Sequence, residues 1–184
     1  MWQGTLYNSF NGGWSYTNLE MTSLFKNIDL NNNYDNYNIL EFGSGDSSIK
    51  IHNLFKNVKN LNYFIFETNT EYLPKNLHLF NVNLYHENDI QNLYIEDYIK
   101  DNIKFDLILI DGPNGENRKY WFNKIKNFVK IDSIILVDDF NHFYSFGEEL
   151  DKNYEYEILS YLNIPFLSYG EHSWKIVKVK NIKN

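Results

Sequence analysis

The chain has 184 residues and a net charge of −7, enough length for one domain and short for two of ordinary size. Its lysines are spread rather than clustered, which disfavours an extended nucleic-acid-binding face. The lack of cysteine excludes disulfides and thiolate metal sites, and the apolar runs fall far short of the roughly 20 residues needed to cross a bilayer. Met1-Trp2-Gln3-Gly4 shows neither the basic patch nor the apolar stretch of a signal peptide, so a cytoplasmic protein is expected (host cytoplasm if viral).

Asparagine makes up about one residue in six, alanine is absent, and Arg118 is the single arginine. This is the signature of AT-rich codons, as in some giant viruses and AT-rich microbes. Glycine, proline and arginine retained against that drift point to structural need.

In chain order, the N-terminal segment 1–30 reads as a cap. Asn11-Gly12-Gly13-Trp14-Ser15 is flexible and aromatic, and is placed either over a ligand or as an anchored tail. Thr17-Asn18-Leu19-Glu20 has capping-box spacing, followed by an apolar face of Leu19, Met21, Leu24 and Phe25. From residue 38 to 184, apolar runs alternate with amphipathic stretches, the pattern of βαβ units around a parallel sheet. Strands are expected at Asn38–Phe42, Tyr63–Glu67, Asn81–Tyr85, Phe105–Asp111 and Ser133–Asp138. The last two are the most apolar and belong at the sheet centre. Helices are expected at Ser47–Lys56, Glu71–Lys75, Ile90–Lys100, Arg118–Phe128 and Ser145–Lys152. Strands Glu155–Tyr161 and Ser173–Val179, joined through a Pro165–Gly170 loop, suit a closing antiparallel pair. The expected fold class is α/β, one Rossmann-like domain with helices on both faces of a mostly parallel sheet.

In such sheets ligands sit beyond the carboxyl ends of the strands. Strand one runs into Glu41-Phe42-Gly43-Ser44-Gly45-Asp46-Ser47-Ser48. Gly43 and Gly45 allow a tight turn and close backbone approach, and the N–H groups at Ser44, Ser47 and Ser48 attract an anion. Ser48 stands where a dinucleotide fingerprint wants a third glycine. Glu41 instead suits the amino group of a bound amino-acid moiety. Glu67, about 20 residues on, is placed to accept ribose hydroxyls. Asp89 is a candidate for an adenine amino group, with Glu87 and Asn88 competing.

These residues resemble motifs I to III of class I S-adenosylmethionine-dependent methyltransferases, from about Trp14 to the C-terminus. Strand four runs into Asp111-Gly112-Pro113-Asn114-Gly115-Glu116-Asn117-Arg118, and strand five into Asp138-Asp139-Phe140-Asn141-His142. This is similar to a subgroup with an Asp-Gly-Pro loop, a downstream arginine and an Asp-Asp pair. Methylases of exocyclic base amines carry an Asn/Asp-Pro-Pro-aromatic loop after strand four, which this chain lacks.

Asp111, Asp138 and Asp139 are expected to converge, and close carboxylates repel unless protonated or bridged by a cation. Resemblance to catechol-type and some sugar O-methyltransferases implies that Asp111, Asp138 and Asp139 (or Asn141) ligate Mg²⁺ or another divalent ion, which would lower the acceptor's pKa. The alternative is that they orient loops and hydrogen-bond the cofactor, with Asp111 counted in that set. Where catechol-type enzymes have a lysine base this chain has Asn114, leaving His142 as the candidate base. Arg118 is expected to clamp an acidic group on the acceptor or cofactor, or else to brace the loop. Trp14, Tyr16, Trp121 and Phe143 are candidates to grip the acceptor.

Tyr120-x-x-x-Lys124 matches the pair of short-chain dehydrogenases but precedes strand five, where helix packing explains it better. The resulting expectation is O-methyl transfer to a small-molecule or glycan hydroxyl, with no membrane partner. A homodimer is compatible with the sequence. An NAD(P)-dependent oxidoreductase and a non-catalytic methyltransferase-like module are the competing readings.

Overall fold

The computed structural model describes residues 16, 18–28, 34–67, 69–74, 83–86, 94–99, 103–112, 116–141, 144–166 and 170–183. A seven-stranded sheet is formed by β1 (Asn36–Phe42), β2 (Asn60–Glu67), β3 (Asn83–His86), β4 (Phe105–Ile110), β5 (Val129–Asp138), β6 (Tyr154–Phe166) and β7 (Gly170–Ile182). Its order is β3-β2-β1-β4-β5-β7-β6. The first five strands pair in parallel, while β7 lies antiparallel between β5 and the edge strand β6. The strand sequence reverses direction between β1 and β4, so the crevice at that switch point is the place to seek a ligand.

Two buried clusters fill the two faces, and alternation along each strand decides which side chain joins which. Leu40 and Phe42 of β1, Ile108 and Ile110 of β4, and Ile135 and Val137 of β5 face one cluster. It is closed by α3 (Lys119–Lys124) and α4 (Tyr144–Asn153), through Trp121, Phe122, Phe146 and Leu150. Ile39, Leu107, Leu109, Ile134 and Leu136 face the other, closed by α1 (Asn18–Asn27) and α2 (Asp46–Leu54) through Met21, Leu24 and Ile51. Each such apolar side chain stabilises the fold by about 1.5–3 kcal/mol when fully buried.

Several expected boundaries shift for physical reasons. Leu19 does not join the apolar face of α1; it is exposed, and the buried series is Tyr16, Glu20, Leu24 and Ile28 at four-residue spacing, with Met21 beside it. The expected helix Arg118–Phe128 is a 3₁₀ turn at Glu116–Arg118, then α3, then a second 3₁₀ turn at Lys126–Phe128. Tyr120 and Lys124 are only partly buried on that helix, while Trp121 and Phe122 take its core face. The Glu71–Lys75 helix reduces to a 3₁₀ turn at Thr70–Tyr72, and Ile95–Asp97 is the described part of the expected Ile90–Lys100 helix.

The Pro165–Gly170 loop is shorter than expected. Pro165 pairs with Glu171 and Phe166 with Gly170 inside the hairpin. Proline lacks an N–H to give to a ladder, and β6 is an edge strand with one side unpaired, so the strand runs through it. No helix among the described residues is long and apolar enough to cross a membrane.

Candidate active site at the carboxyl edge of the sheet

β1 ends at Phe42, and Gly43 turns with φ +92°, a backbone conformation that side-chain-bearing residues rarely adopt. The turn is pinned from both neighbouring strands. Gly43 N–H donates to Phe66 O at 2.8 Å, while the N–H groups of Asp111 and Gly112 both donate to Phe42 O, at 2.9 and 2.7 Å. Gly43 and Gly112 consequently meet backbone to backbone. A Cβ on Gly43 would lie 2.9 Å from the Gly112 nitrogen, and one on Gly112 would lie 2.8 Å from the Gly43 Cα. The glycine of the Asp-Gly-Pro stretch is thus explained by the glycine of the first turn, a pairing that no local pattern reveals.

Gly45 leads into α2 with extended backbone. Its N–H donates to Ser48 Oγ at 3.2 Å, and Ser48 N–H donates back to Gly45 O at 3.0 Å, so Ser48 caps the helix start. Ser47 and Ser48 are buried. Ser44 is buried as well, and its hydroxyl has no hydrogen-bond partner among the described residues.

Glu67, at the tip of β2, holds this turn in place. Its Oε2 accepts from Ser44 N–H at 2.7 Å and its Oε1 from Asn69 N–H at 2.7 Å. Glu41 points into the face covered by α1 and α2, where Tyr63 donates its hydroxyl to Oε2. The other oxygen, Oε1, is buried without a hydrogen-bond partner among the described residues. Burial pushes the Glu41 carboxyl up to about 8; hydrogen bonds pull it down, and the Glu67 charge adds to the rise. Two buried polar atoms, Glu41 Oε1 and Ser44 Oγ, therefore await partners beside the same turn.

The acids at the ends of β4 and β5 do come together. Burial raises the Asp111 carboxyl well above the usual carboxylate range; the neighbouring Asp138 raises it further, and Arg118 opposes this without winning. Asp139 takes a positive φ of 52°, which a short polar side chain tolerates, and its N–H donates to Asp138 Oδ1 at 2.8 Å. Arg118 lies in their midst. Its guanidinium is 3.5 Å from Asp111 Oδ1 and 3.2 Å from Asp139 Oδ2, and donates to Asp138 O at 3.2 Å.

That arrangement corrects two expectations. Arg118 is buried and engaged by the chain's own acids, so it braces two loops rather than presenting a clamp for an acidic ligand. Among the described residues no three acidic or histidine side chains are grouped to hold a metal ion. The residues do not fit a divalent ion held by Asp111, Asp138 and Asp139, because a guanidinium already supplies the positive charge between Asp111 and Asp139. Trp121 is likewise no acceptor contact. It stacks on Phe42 with ring centroids 3.8 Å apart, donates to Gly112 O at 2.9 Å, and is buried beneath the strand ends.

Tyr16 does reach the edge, with only 2% of its surface exposed. Burial raises its phenol well above the usual range, as do the charges of Asp111, Glu41, Asp138 and Glu20. Glu20, named in the sequence for its capping-box spacing, is fully buried in the first turn of α1 and adds its charge to those acting on Tyr16 and Asp111. Asp89, His142, Trp14 and Phe143 lie outside the described residues, as does Asn114.

No protein-family profile matches the chain, and no curated protein matches it by sequence. Solved structures do. A precorrin-6y C5,15-methyltransferase from Geobacter metallireducens GS-15 aligns over 90% of this chain and 90% of its own, at 18% identity and TM-score 0.62. An rRNA methylase from Streptococcus thermophilus aligns over 88% of this chain and 95% of its own, at 10% identity and TM-score 0.57. P. horikoshii TYW2 in complex with MeSAdo aligns over 82% of this chain and 60% of its own, at 15% identity and TM-score 0.55. Strand order, switch point and closing hairpin give this chain the Rossmann-like fold of methyltransferases.

Proposed function

We propose that the chain is an S-adenosylmethionine-dependent methyltransferase acting on an oxygen of a small polar acceptor, with a sugar or glycan hydroxyl the favoured class. The observation that carries this reading is the turn after β1. Two buried polar atoms without partners among the described residues, Glu41 Oε1 and Ser44 Oγ, sit beside a positive-φ glycine at the switch point. A ligand with an amino-acid end and an adenosine end suits that set. Glu41 faces its ammonium, the Ser47 N–H at the start of α2 faces its carboxylate, since the N–H groups of Ser44, Gly45 and Ser48 are held by the turn itself, and Glu67 faces its ribose hydroxyls. Asp89 remains assigned to the adenine.

When bound, the sulfonium supplies an activated methyl group, which passes to the acceptor oxygen as the carbon–sulfur bond breaks and S-adenosylhomocysteine leaves. The chain's own part is alignment and removal of the acceptor's proton. His142 is the proposed base, its imidazole taking up that proton. Asp111, whose carboxyl is raised well above the usual carboxylate range by burial and by Asp138, stands with Arg118 beside the acceptor. Supporting an oxygen acceptor are the absence of the Pro-Pro-aromatic loop and the charge of −7, which disfavours a long polyanion.

Calorimetry with S-adenosylhomocysteine and with NADH tests the cofactor. The expected result is binding of the former alone, weakened at least tenfold in Glu67→Ala, about the loss of a hydrogen bond to a charged group. Binding of NADH alone would sink the reading, and an unchanged affinity in Glu67→Ala would remove the ribose assignment.

A further inference from the structure

The face of the sheet under α1 ends in acids on four neighbouring strands. Alternation that turns Ile39, Ile65, Leu109 and Leu136 into the core carries Glu41, Glu67, Asp111 and Asp138 to the same face, one step further along or just beyond the strand end. Tyr16, just before α1, and Glu20, in its first turn, are buried, and the charges of Glu41, Asp111 and Asp138 act on Tyr16. The Tyr16 hydroxyl is buried, has no hydrogen-bond partner among the described residues, and lies within electrostatic reach of Asp111, Glu41, Asp138 and Glu20. Trp174 of β7, the register partner of Asp138, is buried in the same cluster as Tyr16. The guanidinium at this edge, Arg118, is engaged by Asp111 and Asp139.

We propose that Tyr16, Glu20, Asp111, Asp138 and Trp174 wall a chamber that receives a protonated amino group, and that the acceptor is a small amine-bearing polyol such as an amino sugar. This rests on the methyltransferase reading, whose cofactor is assigned to Glu41 and the adjoining turn. Charge decides against an anionic acceptor, since a phosphate or carboxylate entering here would face several carboxyl groups and no free guanidinium. An ammonium offers three donors to the carboxylates and to the phenolic oxygen, and it is attracted to aromatic faces when desolvated. A neutral polyol would leave the buried carboxyl groups neutralised only by protons. Burial raises the Asp111 and Glu41 carboxyls above the ordinary carboxylate range.

The test is calorimetric titration of glucosamine, glucose and glucose 6-phosphate into the full chain, with and without saturating S-adenosylhomocysteine. Glucosamine should bind about tenfold tighter than glucose, the worth of one charge-assisted hydrogen bond, with glucose 6-phosphate weakest. Tyr16→Phe should lower glucosamine affinity about as much while leaving S-adenosylhomocysteine affinity unchanged. Asp138→Asn is the second probe; should it fail to fold, Tyr16→Phe decides alone. Equal binding of glucose, preference for the phosphate, or no glucosamine binding would overturn the proposal. So would competition between glucosamine and S-adenosylhomocysteine, because the cofactor's own ammonium would then fill the chamber. If S-adenosylhomocysteine itself fails to bind, the cofactor reading falls, and the titration without it still tests the amine chamber.

Discussion

At the scale of single residues, the tightest constraint is the meeting of Gly43 and Gly112. Neither glycine is there for flexibility in the abstract. A side chain on Gly43 would be strained by its φ of +92° and would press on the Gly112 nitrogen at 2.9 Å, where backbone cannot give way cheaply. Gly43→Ala is expected to destabilise the protein by about 2 kcal/mol or more. Gly112→Ala should also destabilise, from the steric contact alone. Urea unfolding midpoints measure both, and a Gly43→Ala midpoint equal to that of the parent would refute the account. The turn motif was legible because glycine-glycine spacing after an apolar strand is a local pattern. Its partner in space was not, since Gly43 and Gly112 are far apart in the chain and joined only by the β1–β4 pairing.

Elements are tied together chiefly by what happens after β5. The Asp138-Asp139 turn is held on one side by Arg118 and on the other by the C-terminal hairpin. Phe140 N–H donates to Ser173 O at 3.2 Å, Asn141 N–H to Ser173 Oγ at 2.7 Å, and the Asn141 amide to the Tyr161 hydroxyl at 2.7 Å. Lys175 places its ammonium 3.8 Å from the Phe140 ring centroid. Arg118 is therefore a structural joint between the β4 and β5 loops. Arg118→Ala should cost about 3 kcal/mol, because Asp139 loses its counter-charge and the buried acids are left unopposed. Thermal or urea unfolding reads this, and a loss confined to catalysis with stability intact would contradict it. The sequence singled out Arg118 as the sole arginine retained against codon drift, which was sound. Its role as a brace rather than a ligand clamp required knowing that Asp111 and Asp139 both reach it.

For the molecule as a whole, acids gathered at one sheet edge make stability depend on pH. Glu41 titrates near 8 in the folded chain against 4.5 in the ordinary range, so the folded state binds more protons between those values. Stability is thus fully present below about 4.5 and lost as pH rises toward 8, by up to about 1.4 kcal/mol per unit for this one group. Glu41→Gln should flatten that part of the profile. Unfolding free energies of the cofactor-free protein at pH 5, 6.5 and 8 give the comparison; parallel profiles for parent and variant would show that Glu41 is not responsible.

The sequence by itself determined the order of strands and helices, the centrality of β4 and β5, and the turn of Glu41, Gly43, Ser44 and Glu67. Each of these is written in local periodicity and in the few residue types that a turn will accept. Only the tertiary structure decided that Trp121 belongs to the core, that Arg118 stands between Asp111 and Asp139, and that Tyr16 and Glu20 are buried within electrostatic reach of Asp111. Those outcomes depend on which face of a strand meets which face of a helix, and on charges brought together from distant segments. The physical reason is that burial and counter-charge are properties of a neighbourhood. The chain order of its members does not contain them.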